Sequence, residues 1–89
     1  MPKFEIQHRE YRLWFDGGRT LYYGENATDF IFLPDWIRSL HHFQDAIYIQ
    51  TDNRGYLFSG SGPDDFQVQE LTDEDSRRIW EWLRNQQNL

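Results

Sequence analysis

The chain has 89 residues, no cysteine, and 15 acidic residues against nine basic ones, which gives a net charge of −6. This length suits one domain, the lack of cysteine excludes disulfides and thiolate chemistry, and the charge argues against direct binding to nucleic acid. Four Trp, five Tyr and seven Phe make the chain rich in rings, which both fill cores and anchor interfaces.

The first quarter of the chain has the pattern of a β-hairpin. Residues 4–15 are rich in strand-forming residues and alternate in polarity at their start, with a polar interruption at residues 9–10. Residues 16–18, Asp-Gly-Gly, supply the backbone freedom that a tight turn needs. Residues 19–23 then predict a strand that returns antiparallel to the first.

The next segment predicts a helix. Residues 24–29 have the composition of a polar connection, and residues 30–32 form a short apolar run that suits either a buried strand or the approach to a helix. Pro34 is typical of a helix start. The apolar residues that follow recur at helical spacing: Leu33, Trp36, Ile37, Leu40 and Phe43. We expect an amphipathic helix over residues 34–43, packed on a sheet.

The second half of the chain predicts another hairpin and a last strand. Residues 46–51 and 56–59 are rich in strand-forming residues, and residues 52–55, Asp-Asn-Arg-Gly, have turn chemistry between them. After the loop at residues 60–65, alternation over residues 66–69 indicates one further strand.

The C-terminal segment predicts a helix with a defined start. Thr72 is a favourable N-cap residue, and three acidic residues follow it in the first turn, where the helix dipole favours negative charge. Ile79, Trp80, Trp82 and Leu83 cover one face, and the helix should end near residues 85–88.

These elements predict a single α+β domain over residues 1–89 in the order β-β-(β)-α-β-β-β-α. We expect an antiparallel sheet built from two hairpins plus one further strand, with two amphipathic helices packed on one face. Periodicity assigns Trp36, Phe43, Trp80 and Trp82 to the core.

The sequence indicates a cytoplasmic protein with no membrane association. The chain starts without the apolar segment of a signal peptide, and the longest apolar run, residues 30–33, is far short of a membrane span. The absence of cysteine is compatible with a reducing compartment.

We expect no catalytic residue, no metal and no cofactor. His41 and His42 are adjacent and would point about 100° apart on a helix, so they cannot bind one ion together. Residues 52–55 lack the rest of a calcium loop, and residues 60–65 lack the Lys and helix start of a phosphate loop. Arginines interleaved with rings in residues 9–22 resemble a single-strand nucleic-acid surface, but the overall acidity favours cross-strand ion pairing.

The surplus of rings carries the functional argument. If Leu13 and Phe15 face the core, alternation places Trp14 on the opposite face of the sheet, and Tyr48 is placed there in the same way. The candidate partner-binding residues are the rings of Trp14, Tyr48 and one of Tyr22 or Tyr23, with the acidic residues Asp64 and Asp65 at the rim. Two arrangements stay open: this face is exposed as a patch, or residues 24–32 fold over it.

The leading hypothesis is a small non-enzymatic protein that binds another protein, or a second copy of itself, through an aromatic sheet face with an acidic rim. The alternative is an acidic inhibitor of a nucleic-acid-handling protein, or a nucleic-acid mimic, of phage or mobile-element origin, whose carboxylates stand where phosphates would. The net charge of −7 on residues 24–89 motivates it. An enzyme or small-ligand binder would require a deep pocket among the rings.

Overall fold

The computed structural model describes residues 4–8, 11–15, 17–24, 29–60 and 66–87. Within these ranges the chain forms eight strands followed by one helix. The elements are β1 (Phe4–His8), β2 (Tyr11–Phe15), β3 (Thr20–Gly24), β4 (Asp29–Phe32), β5 (Ile37–Phe43), β6 (Ala46–Thr51), β7 (Gly55–Ser59), β8 (Gln67–Glu70) and α1 (Asp73–Gln87).

The strands form two antiparallel sheets in which each strand pairs with its neighbours in sequence. The N-terminal sheet has the order β1-β2-β3-β4, and the central sheet has the order β5-β6-β7-β8. Both predicted hairpin turns are confirmed, because β2 pairs with β3 and β6 pairs with β7. Gly17 adopts a positive φ of 94° in the first of these turns, a conformation that glycine adopts at little cost.

The predicted fold class is wrong. Instead of one sheet with two helices on one face, the described chain has two four-stranded sheets and a single helix. Residues 4–8 and 11–15 form two paired strands rather than one, and residues 29–32 form the fourth strand of the same sheet. The segment expected to be the first helix, residues 34–43, contains strand β5.

A β-bulge explains part of the helix-like spacing in β5. Ile37 pairs with Thr51, but Ser39 pairs with the adjacent Gln50, so one residue of β5 is extra. An extra residue shifts the alternation by one position. As a result Ile37 and Leu40, three positions apart, both pack in the core between the sheets.

Strand β5 also has apolar residues on both faces, which adds to its helix-like spacing. Phe43, three positions after Leu40 and without an intervening bulge, points to the opposite side, where its ring packs edge-on against Trp82 of α1 at 5.0 Å. Trp36 was also expected in the core but is 55% exposed in the connection before β5. A bulge, followed by a strand with apolar residues on both faces, therefore produces the same i, i+3 spacing of apolar residues as a helix.

The main core lies between the two sheets. Its centre is formed by aliphatic and phenylalanine side chains from the facing strands, each of which would stabilise the fold by about 1.5–3 kcal/mol when fully buried. Six of them are at most 1% exposed: Leu13, Phe15 and Leu21 from the N-terminal sheet, and Ile47, Ile49 and Phe58 from the central sheet.

The C-terminal helix forms the third layer, on the other face of the central sheet. Ile79 and Leu83 of α1 pack against Tyr48. The predicted N-cap is confirmed, since the backbone N–H of Asp75 donates to Thr72 Oγ1 at 3.1 Å. Within the described ranges, no helix is long and apolar enough to cross a membrane.

Gly55 allows α1 to approach the central sheet closely. A Cβ atom at this position would lie 2.5 Å from Ser76 Oγ of α1 and 2.6 Å from the Tyr48 hydroxyl oxygen. Both distances are shorter than van der Waals contact, so any larger residue would force the helix or the tyrosine to move.

We expect Gly55→Ala to lower the free energy of unfolding by about 1–3 kcal/mol, because the added methyl group overpacks the contact between helix and sheet. Urea denaturation followed by circular dichroism would measure the loss. The loss should be smaller in a Ser76→Ala background, where one crowding hydroxyl is absent. An unfolding free energy unchanged by Gly55→Ala would contradict the close packing.

Candidate functional site

The outer face of the N-terminal sheet carries a group of aromatic rings. Trp14 lies opposite Tyr22 across β2 and β3, and Tyr22 lies opposite Phe30 across β3 and β4. The residues that precede Trp14 and Tyr22 are buried in the core, so alternation directs both rings to the other face. Phe32 follows Phe30 by two positions and shares its face. We call these four residues the aromatic patch.

The rings of the aromatic patch contact one another in series. Trp14 and Tyr22 are stacked, with centroids 4.2 Å apart and planes 14° apart. The Tyr22 and Phe30 centroids are 6.2 Å apart, and Phe30 and Phe32 meet edge to face at 5.3 Å. Such pairs contribute about 0.5–1.5 kcal/mol each beyond the area that they bury. The patch is therefore held in shape by its own contacts.

The outer end of the aromatic patch is accessible to solvent. Phe30 is 52% exposed and Phe32 is 73% exposed, whereas Trp14 and Tyr22 are half-buried. The central sheet packs on the inner face of the N-terminal sheet, and α1 packs on the far side of the central sheet. Thus no strand or helix of the described chain lies over the patch.

Residues 24–32 were the segment that could have covered this face. The described part of that segment does not do so: Gly24 ends β3, and residues 29–32 form β4, which extends the sheet at its edge. Residues 25–28 lie outside the described residues. Phe30 and Phe32 are members of the patch that sequence reasoning missed, although their alternation around Ile31 was a usable signal.

An ion pair lies on the outer face next to the patch. Glu5 and Arg12, both exposed on the same face, form an ion pair across β1 and β2 with a distance of 3.4 Å between Arg12 Nη1 and Glu5 Oε1. An exposed pair of this kind contributes at most about 1 kcal/mol. The predicted acidic rim, Asp64 and Asp65, lies outside the described residues.

Two of the predicted partner-binding rings are in the interior instead. Tyr23 lies on the inner face of β3, where its ring packs edge-on against Phe58 at 5.3 Å and against Phe66 at 4.9 Å. Tyr48 is fully buried. Alternation does place Tyr48 on the opposite face from Ile47 and Ile49, but α1 covers that face. A buried Tyr48 is therefore removed from the candidate surface.

The half-buried side-chain amide of Gln50 joins α1 to the central sheet. Gln50 Oε1 accepts hydrogen bonds from the Tyr48 hydroxyl and from Trp80 Nε1, the latter at 2.6 Å. Gln50 Nε2 donates to the carbonyl of Thr51 at 2.7 Å and to that of Arg54 at 3.3 Å. Burial raises the pKa of the Tyr48 phenol. These contacts fix the position of the helix, so we assign the cluster a structural role.

The two histidines lie in strand β5 and not at a helix end. The His41 ring is 4.9 Å from the Trp80 ring, its Nε2 is 2.8 Å from Ser39 Oγ, and burial lowers the pKa of His41. His42 is exposed on the other side of the strand. Among the residues that the structure covers, no group of three or more His, Cys, Asp or Glu side chains could hold a metal ion.

Comparisons with protein-family models, with curated proteins and with solved structures find no match to this chain. We therefore infer function from the geometry of the aromatic patch alone.

The lowered pKa of His41 predicts a pH-dependent stability. The unfolded chain takes up this proton near the ordinary pKa of 6.5, whereas the folded chain takes it up only at lower pH. The unfolded state therefore binds more protons between the two values, and stability falls as the pH drops from 6.5 to the folded pKa. Above 6.5 this contribution is constant.

Urea midpoints measured between about pH 8 and about pH 5 would reveal the effect. We expect His41→Gln to remove part of the acid-side loss that the wild-type protein shows, and His42→Gln, the adjacent exposed control, to retain it. Equal pH dependence in the two variants would contradict the assignment to His41.

Proposed function

We propose that this protein is a non-enzymatic binding module that holds another protein against the outer face of the N-terminal sheet. The observation that supports the proposal is the aromatic patch, four rings assembled in contact with one another and open to solvent at Phe30 and Phe32.

Exposed rings contribute more to binding a partner than to the stability of the isolated fold. Exposed phenylalanines contribute little to the stability of the isolated fold, but they release water from apolar surface when a partner covers them. Tyr and Trp are the residues that most often dominate binding energy, and aromatic side chains lose little conformational entropy on binding. Since Trp14 and Tyr22 are already stacked, little further ordering is needed.

The partner that fits this surface presents an apolar area within a neutral or basic surrounding. The net charge of −6 repels acidic partners and favours encounter with basic ones, although the described charges next to the patch, Glu5 and Arg12, offset each other. Specificity would come from the shape of the ring series, and the association rate from the long-range charge. We place this binding in the cytoplasm, because a chain without cysteine forms no disulfides and does not depend on an oxidising compartment.

No contact among the described residues supports the acidic-inhibitor alternative. Asp73, Glu74 and Asp75 stand in the first turn of α1, where they complement the helix dipole, and Glu74 also pairs with Arg78 at 2.8 Å. These carboxylates thus have a local role in the helix, and we do not advance the alternative.

Affinity purification from the native host tests the proposal with three baits. We expect the wild-type protein and Trp36→Ala to recover the same partner, because Trp36 is an exposed ring outside the patch. The double variant Tyr22→Thr/Phe30→Thr should recover at least about tenfold less, the loss expected when interface rings are removed. Threonine keeps the strand propensity of both positions.

Circular dichroism and thermal unfolding of all three baits would show that they are folded. Undiminished recovery with the double variant would contradict the proposal, as would turnover of a small substrate by the pure protein.

A further inference from the structure

Strand β4 forms an open edge of the N-terminal sheet. It pairs with β3 on one side, and no described strand pairs with it on the other. A strand in this position presents a row of unpaired backbone N–H and C=O groups, which natural proteins usually protect with lysine, proline or a bulge. Residues 29–32 contain none of these, and Asp29 is their single charged residue.

The direction of the unpaired groups follows from one hydrogen bond. The N–H of Leu33 donates to the carbonyl of Arg19 at 2.9 Å. These two residues continue the register in which Phe32 faces Thr20 and Ile31 faces Leu21. In an antiparallel pair, hydrogen-bonded and non-hydrogen-bonded positions alternate. Ile31 therefore bonds to β3, as Leu33 does, and the backbone groups of the intervening phenylalanines point to the open edge.

Phe30 and Phe32 thus present two recognition elements together. Their rings are the exposed end of the aromatic patch, and their backbone N–H and C=O groups face outward at the edge. A strand that adds here would gain main-chain hydrogen bonds and ring contacts at the same residues.

We propose that β4 pairs antiparallel with β4 of a second copy of this chain, with the twofold axis at Ile31. In this register Phe30 of each copy lies opposite Phe32 of the other, and both form hydrogen-bonded pairs, which gives four main-chain hydrogen bonds across the axis. The two copies of Ile31 face each other as a non-hydrogen-bonded pair. If the axis lay at Phe30 or at Phe32 instead, that residue would pair with its own copy. The other phenylalanine would then lie opposite a residue outside β4, so the strands would share fewer hydrogen-bonded pairs.

The charges of the edge are compatible with a second copy. Each Asp29 would lie opposite Leu33 of the second copy, so the two Asp29 side chains would be four positions apart along the strands, about 13 Å. This separation exceeds the screening length of about 8 Å at physiological salt. The net charge of −6 on each chain still opposes encounter, so the dimer should become stronger as salt is added.

The pairing also extends the surface described above. Two N-terminal sheets joined through β4 would form one continuous eight-stranded sheet, with the two aromatic patches adjacent on the same face. The dimer does not rest on the proposed function, because it uses the backbone edge of β4, whereas the proposed partner uses the face of the sheet.

Cysteine cross-linking tests the register, because the chain has no cysteine of its own. The two Ile31 Cα atoms would be about 4.5 Å apart, within the range of a disulfide, so Ile31→Cys should form a covalent dimer on mild oxidation. Phe30→Cys alone should not, since its two copies would be about 8 Å apart. A mixture of Phe30→Cys and Phe32→Cys should form the disulfide.

Sedimentation of the cysteine-free protein tests the association itself. We expect a monomer–dimer equilibrium that shifts toward dimer with added salt, and Phe32→Lys should raise the dissociation constant at least about tenfold. Trp36→Lys makes the same charge change at another exposed ring and should not weaken the dimer. Because both variants reduce the net negative charge, repulsion between copies cannot explain a loss confined to Phe32→Lys.

A wild-type protein that stays monomeric at all concentrations and salts overturns the dimer, as does self-cross-linking of Phe30→Cys as efficient as that of Ile31→Cys. If such a monomer still loses a captured protein on Tyr22→Thr/Phe30→Thr, the proposed function stands without the dimer. If the dimer forms but the double variant retains the captured protein, the dimer stands and the proposed function is wrong.

Discussion

The packing of the two sheets on each other is the contact on which the rest of the structure depends. Leu13, Phe15 and Leu21 on one side meet Ile47, Ile49 and Phe58 on the other, and none is more than 1% exposed. One face of each sheet is therefore buried in the core. The two remaining faces have different surroundings, because α1 covers that of the central sheet while no described element covers that of the N-terminal sheet. The aromatic patch is a consequence of this layer order.

Both outer faces carry aromatic side chains, but the two groups of rings have different roles. On the central sheet the Gln50 amide accepts hydrogen bonds from Tyr48 of the same sheet and from Trp80 of α1, and Gly55 lets the helix approach closely. On the N-terminal sheet the rings of the aromatic patch contact one another in series, and the series reaches solvent at Phe30 and Phe32. We interpret the first set as structural and the second as the binding side of the molecule, which the open edge of β4 extends toward a second copy.

Local elements could be predicted from the sequence wherever turn and cap chemistry marked them. The glycine turn before Arg19, the turn after Thr51 and the N-cap at Thr72 each fixed an element. Residues 34–43 were mistaken for a helix because a bulge after Ile37 and a strand with two apolar faces imitate helical spacing. Alternation placed Trp14 and Tyr48 each on the face opposite the main core, but it could not say which face the single helix covers. That depends on the order of the layers, which is a property of the packed chain and not of any local pattern.

We infer that β4, with its exposed rings and its outward-facing backbone groups, is the open side of the protein. Residue-resolved amide hydrogen exchange of β4, measured by NMR at low and at high protein concentration, tests it most directly. We expect slow exchange of the Ile31 amide in both samples. The Phe30 and Phe32 amides should exchange fast in the dilute sample and slowly in the concentrated one. Equal protection of all three amides in the dilute sample, or fast exchange of Phe30 and Phe32 at every concentration, would contradict it.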